Sequence, residues 1–176
     1  GHMTSAPSRL YSPRSLAFGC NCTGSLTADL KHDGSKRVFF LTAGVTEPFA
    51  REFTRQLQEV GIATETLSGV EREPTVDMFH EIVTHVRRFR ADTVVGIGGG
   101  SVLDLAKLLA AFNVSSQSLE ETFGINLLAG HSTRIICIPT TAGTGSEASP
   151  KAILLDEKSA LKKAVISPHL VPDATY

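Results

Sequence analysis

Long apolar runs are missing from this sequence: no stretch reaches the roughly 18 residues needed to cross a bilayer. The N-terminus also lacks the basic, apolar, small-residue order of a signal peptide. Both absences predict a soluble chain that works in the cytoplasm without a membrane partner. Cysteine is scarce. Cys20, Cys22 and Cys137 form neither a CxxC pair nor a ladder, so the fold is not expected to rest on disulfides, and the thiols fit a reducing compartment. Blocks of one charge are absent too. Lys and Arg number 17 against 18 Asp and Glu, a formal charge of -1, with the signs mixed along the chain, which argues against nucleic acid as a main partner. No Gly-Lys-Ser or Gly-Lys-Thr occurs, so a P-loop is excluded.

What remains is enough for one domain. At 176 residues the chain can bury roughly two thirds of its unfolded surface. Gly1-His2-Met3 reads as a protease scar ahead of a start methionine, so His2 is left out of any functional argument. Residues 1–15, rich in Ser, Pro and Arg without periodicity, read as a flexible leader before a domain over 16–176. Arg37 to Thr42 is a β-branched and aromatic run without polar alternation, the pattern of a strand buried on both faces. Phe49, Phe53, Leu57 and Val60 then recur at helical spacing, and Gly61 stops that helix. Ile62 to Leu67 reads as the next strand, and Pro74 opens a helix with the stripe Val76, Phe79, Val83, Val86 and Phe89. Thr93 to Ile97 is a third buried strand, Ser101 to Phe112 a third helix, and Arg134 to Pro139 a further strand. This alternation predicts an α/β fold: a Rossmann-like open parallel sheet with helices on both faces. Ala152 to Leu155 and Ala164 to Ile166, bridged by Asp156-Glu157-Lys158, add a short β-hairpin-like extension.

In such a sheet ligands bind beyond the carboxyl ends of the strands. The loop after the third strand is Gly96-Ile97-Gly98-Gly99-Gly100-Ser101, which passes from strand to helix at once. Backbone without Cβ atoms can approach a diphosphate, and the helix N-terminus offers it amides and positive potential. Ser101 is expected to cap the helix, with Asp104 completing a capping box. A plain capped turn would account for those two residues. It would not account for four glycines among five residues, which weaken the chain beyond what a turn requires. The usual dinucleotide fingerprint is not met, because Ser101 stands where its third glycine would be. The loop after Pro139 is Thr140-Thr141-Ala142-Gly143-Thr144-Gly145-Ser146-Glu147, whose hydroxyls suit ribose or phosphate if it faces the glycine loop.

Together, the segments from Gly98 to Lys107 and from Pro139 to Glu147 resemble the two signatures of the iron-containing (group III) alcohol dehydrogenases, which include the maleylacetate reductases. The likeness runs from Phe18-Gly19 through Pro74-Thr75 and Lys162 to Pro172-Asp173-Ala174-Thr175-Tyr176. The resemblance implies an NAD(P)-binding domain of an alcohol dehydrogenase or reductase that moves a hydride between NAD or NADP and a small alcohol, aldehyde or ketone. By that resemblance Gly98, Gly99, Gly100 and Ser101 hold the diphosphate, Thr140, Thr141 and Thr144 face the sugar and adenine side, Asp104 lies toward the nicotinamide, and Lys162 reaches the ribose. The family's divalent iron or zinc is held by an Asp and three His in a helical domain that this chain does not include, so no catalytic or metal residue is assigned within it. A small-molecule substrate and a homodimer are compatible with the resemblance. Two further readings stand beside it: maleylacetate-type reduction, or a nucleotide-binding module that is not catalytic. Dehydroquinate synthase-like lyases share the glycine turn but lack the Thr-Ala-Gly-Thr-Gly-Ser-Glu loop.

One position departs from the family pattern. Many members follow the first strand with an Asp that accepts ribose hydrogen bonds and repels a 2′-phosphate; here it is Ala43, and Arg51 follows in the next helix. This predicts relaxed or NADP-leaning cofactor choice. His80 and His85 are five apart on one helix and do not face one site, while His32, His131 and His169 fall in predicted loops; all five read as surface residues.

Overall fold

The computed structural model describes residues 22–70, 73–140 and 145–176. The leader expected over 1–15, and the start of order near Leu16, lie outside them. In chain order the elements are α1 (Cys22–His32), β1 (Arg37–Thr42), α2 (Glu47–Glu59), β2 (Ala63–Leu67), α3 (Val76–Phe89), β3 (Thr93–Gly98), α4 (Gly100–Asn113), β4 (Gly124–Ile125), β5 (Arg134–Pro139), β6 (Lys151–Asp156), β7 (Leu161–Ile166) and β8 (Ala174–Thr175).

The main sheet has the order β2-β1-β3-β5-β8, and every pairing in it is parallel. Alternate residues of β1 explain its two faces. Val38 and Phe40 pack with Leu26 and Leu30 of α1 and Phe53 and Leu57 of α2. Phe39 and Leu41 pack with Phe79 and Val83 of α3 and with α4. A strand with apolar neighbours on both sides has no position left for a polar residue, hence its unbroken run.

The expected hairpin is present as β6 and β7, antiparallel from Lys151↔Ile166 to Asp156↔Leu161. It is extended by β4, which joins β7 in parallel, so the extension is a three-stranded sheet. Because this sheet covers the outer side of α4, that helix is buried all round: Val102, Leu103 and every residue from Leu105 to Asn113 are inside. At its far end the Phe112 carbonyl accepts from the Arg87 guanidinium, at 3.1 and 2.7 Å.

Several positions differ from expectation, among them the start of β7, which is Leu161 and not Ala164. Ile62 belongs to the close of α2, where its N–H donates to Leu57 O beside Gly61 at φ +83, so β2 starts at Ala63. Thr75, in extended conformation, caps α3 by accepting from Met78 N at 3.0 Å, so that helix starts two residues after Pro74. His32 is the last residue of α1, not part of a loop.

Candidate functional site

Four chain segments meet at the carboxyl edge of the main sheet. β1 ends at Thr42, whose carbonyl accepts from Val70 N at 3.2 Å, and Ala43 N donates to Ile97 O at 3.1 Å. Gly98 pairs with Pro139, and Thr140 N donates to Gly98 O at 3.0 Å. The glycine loop and Thr140, the first residue of the threonine loop, are therefore adjacent, on neighbouring parallel strands, at one end of the sheet. β1 and β3 are hydrogen-bonded neighbours whose following connections diverge to β2 and β5, which makes their shared end a topological switch point.

The glycines divide into two jobs. A Cβ on Gly96 would lie 2.7 Å from Ala106 Cβ, and one on Gly98 would lie 3.0 Å from the Val102 side chain. These two let α4 lie close on β3. Gly99 and Gly100, half-buried at the mouth of the turn, open the helix. Gly99 is the N-cap; no side chain caps it, and no acidic residue stands in the first turn.

That corrects the capping box. Ser101 is exposed within the first turn instead of preceding it. The Asp104 carboxylate points away from the helix start, accepting from Ile153 N of β6 at 3.2 Å. Its other oxygen faces the Lys107 ammonium at 3.5 Å. The first amides of an α-helix have no intrahelical acceptor, so an uncapped start with glycines on its surface has the donors and the access that a diphosphate requires.

Lys107 is the residue that sequence reasoning passed over. Its side chain is fully buried, and its ammonium donates to the carbonyls of Ser146 (3.1 Å), Ser149 (3.1 Å) and Lys151 (2.6 Å). Burial lowers its pKa, while Asp104 works in the opposite direction. Burial likewise raises that of Asp104, against the attraction of Lys107 and the Ile153 amide. The signal was available: a lone lysine within Leu105-Ala106-Lys107-Leu108-Leu109-Ala110 has no wet face to occupy. Beneath the same edge, Cys137 is buried and its thiol is pushed up to about 12 by burial.

Lys162 lies on β7, exposed, with its ammonium 3.0 Å from Glu73 in the segment between β2 and α3. Thr140 is half-buried at the site; Thr141 and Thr144 fall outside the described residues. Among the described residues no three His, Cys, Asp or Glu side chains converge as metal ligands would. His80 contacts Glu120 at 2.8 Å. His131 is half-buried, contrary to its reading as a surface residue, because its two ring nitrogens lie 2.6 Å from the carbonyls of Thr133 and His169.

Comparison with known proteins gives a consistent picture. The family model described as iron-containing alcohol dehydrogenase matches residues 13–176. The chain is 29% identical over 169 residues to sulfoacetaldehyde reductase of Bilophila wadsworthia, covering 93% of this chain and 43% of that protein. It is 27% identical over 163 residues to lactaldehyde reductase of Escherichia coli, covering 90% of this chain and 43% of that protein. Among solved structures, the iron-containing alcohol dehydrogenase of Thermococcus thioreducens superposes with a TM-score of 0.78 at 29% identity, over 87% of this chain and 42% of that one. NADH-dependent butanol dehydrogenase A of Thermotoga maritima gives 0.77 at 27%, over 87% and 39%. The chain thus spans less than half the length of each of these relatives.

Proposed function

The chain belongs to the iron-containing alcohol dehydrogenase family, and from that premise we propose that it is the NAD(P)-binding part of an oxidoreductase acting on a small alcohol, aldehyde or ketone. One observation carries the reading: an uncapped helix start at Gly99 lies beside the threonine loop at a switch point of a parallel sheet. In this reading the amides of Gly99, Gly100 and Ser101 bind the diphosphate, with Gly98 giving α4 its close seat. Thr140, Thr141 and Thr144 supply hydroxyls to the sugar and adenine side, and Lys162 reaches the ribose. Asp104 lies toward the nicotinamide end. The relatives' names support the chemistry that a bound nicotinamide supplies, exchange of a hydride with an alcohol or carbonyl carbon.

Ala43 bears on cofactor choice. It sits where β1 opens onto the site, with its N–H tied to Ile97 O, and it brings no carboxylate to repel a 2′-phosphate. Arg51, exposed in the first turns of α2, adds positive charge to that side. Binding of NADPH at least as tight as NADH is expected; a strong preference for NADH would remove this part of the reading.

The test is calorimetric titration of the 176-residue chain with NADH and NADPH, alongside a Gly99→Val variant. The parent binds weakly and turns over negligibly, while added bulk at the helix start abolishes binding. Equal binding by the variant would overturn the assignment, and dehydrogenase turnover by the chain alone would refute the expected inactivity.

A further inference from the structure

A buried lysine is costly unless its charge is met. An ammonium has three N–H donors, and those of Lys107 have three backbone carbonyl partners, from Ser146, Ser149 and Lys151. All three belong to the segment that returns from the threonine loop into β6. That segment has other ties as well: Ala148 N donates to Gly145 O at 3.2 Å, Lys151 N to Ser149 Oγ at 3.1 Å, Thr175 Oγ1 to Glu147 O at 2.9 Å and Ser167 N to Pro150 O at 2.9 Å, and the Ser146 side chain bonds Asp104. Lys107 adds three bonds from one buried atom. The opposite end of the loop is held by Thr140 N on Gly98 O. Both ends of the loop are therefore tied to a single strand-helix unit, β3-α4, which also carries the glycine turn. Lys107 reaches its carbonyls about two helical turns below that turn.

We propose that Lys107 is a positioning residue for the nucleotide: its buried ammonium fixes segment 145–151 to α4 and thereby sets how that segment stands against the glycine side of the site. The inference rests on the nucleotide-binding function proposed above, but its structural half can be read without any nucleotide. Lys107 touches no ligand in this scheme. It acts through the loop, so its removal leaves the glycine helix start intact while loosening its partner. Asp104 shares the ammonium, so the pair also ties the loop to β6 through Ile153.

The experiment compares the parent 176-residue chain, Lys107→Met, Asp104→Asn and the double variant Asp104→Leu/Lys107→Met. The double variant is included because removing a buried charge pair together is tolerated far better than stranding one member. It decides the matter if Lys107→Met fails to fold. Two quantities are measured well below each variant's Tm: amide hydrogen exchange at residues 145–151, and NADH affinity from the fluorescence of bound nicotinamide. The expected result is exchange in that segment faster by about tenfold and NADH bound about tenfold more weakly. In the double variant the affinity loss exceeds that of Asp104→Asn alone. A lysine that only stabilises the fold would lower Tm and leave both quantities as in the parent; that outcome overturns the proposal. Failure of the nucleotide-binding assignment looks different: the parent and Gly99→Val would give the same NADH signal, while the exchange difference at 145–151 would persist.

Discussion

Two helices that follow strands of the same sheet begin in opposite ways. α3 starts closed: Thr75 precedes it in extended conformation and accepts from Met78 N, and Asp77 lies in its first turn. Its start has been satisfied by its own sequence, with a hydroxyl and a carboxylate near the positive end of the helix dipole. α4 starts open. Glycine is its N-cap, no side chain turns back, and no acid stands in the first turn. A fold under no demand but stability would cap both. On the proposed function, the difference means that the start of α4 is left free for an anion from outside the chain, at some cost to the stability of the domain.

The comparison can be broken most severely at Gly96. A valine there would drive a Cβ to within 2.7 Å of Ala106 and force α4 off β3, so Gly96→Val is expected to destabilise the domain by about 3 kcal/mol or more, measured by urea unfolding. Gly99→Asp sharpens it, because it gives α4 the closed start of α3. The two readouts should move in opposite directions: stability rises by about 0.5 kcal/mol, while NADH affinity falls about tenfold or more as a carboxylate occupies the anion's place. Affinity unchanged in a stabilised Gly99→Asp protein would show that the open start serves no ligand. Thr75→Ala is the reciprocal experiment and the smallest effect. Loss of the cap should cost about 1 kcal/mol in thermal unfolding and leave NADH affinity as it was.

Much of this contrast was legible beforehand, and the exceptions have physical causes. β1 and β5 have the bounds read from the sequence, and β3 exceeds them by one residue, because strands covered on both faces write themselves as uninterrupted apolar runs. α1 was missed. Among its described side chains, only Leu26 and Leu30 bring large apolar groups to the core, and the others buried are Thr23 and Thr27, too weak a period to stand out. β4 and β8, two residues each, are strands only because a neighbour pairs with them. At the site, the sequence put both loops beyond strand ends and left open whether they face each other; the pairing of β3 with β5 brings Gly98 and Thr140 together. The capping box was not, because α4 begins at Gly100 and leaves Ser101 a position inside the helix. Lys107 escaped notice because its partners are backbone carbonyls, which no residue type announces.

The burial of α4 on every side has one more consequence. A helix without a wet face cannot fray sideways, so the amides from Leu105 to Ala110 can meet solvent only when the sheet, the hairpin layer and the helix part company together. Their exchange rates should therefore report the opening free energy of the entire domain, and an anion held at the tip of the helix would be felt as slower exchange along its whole length.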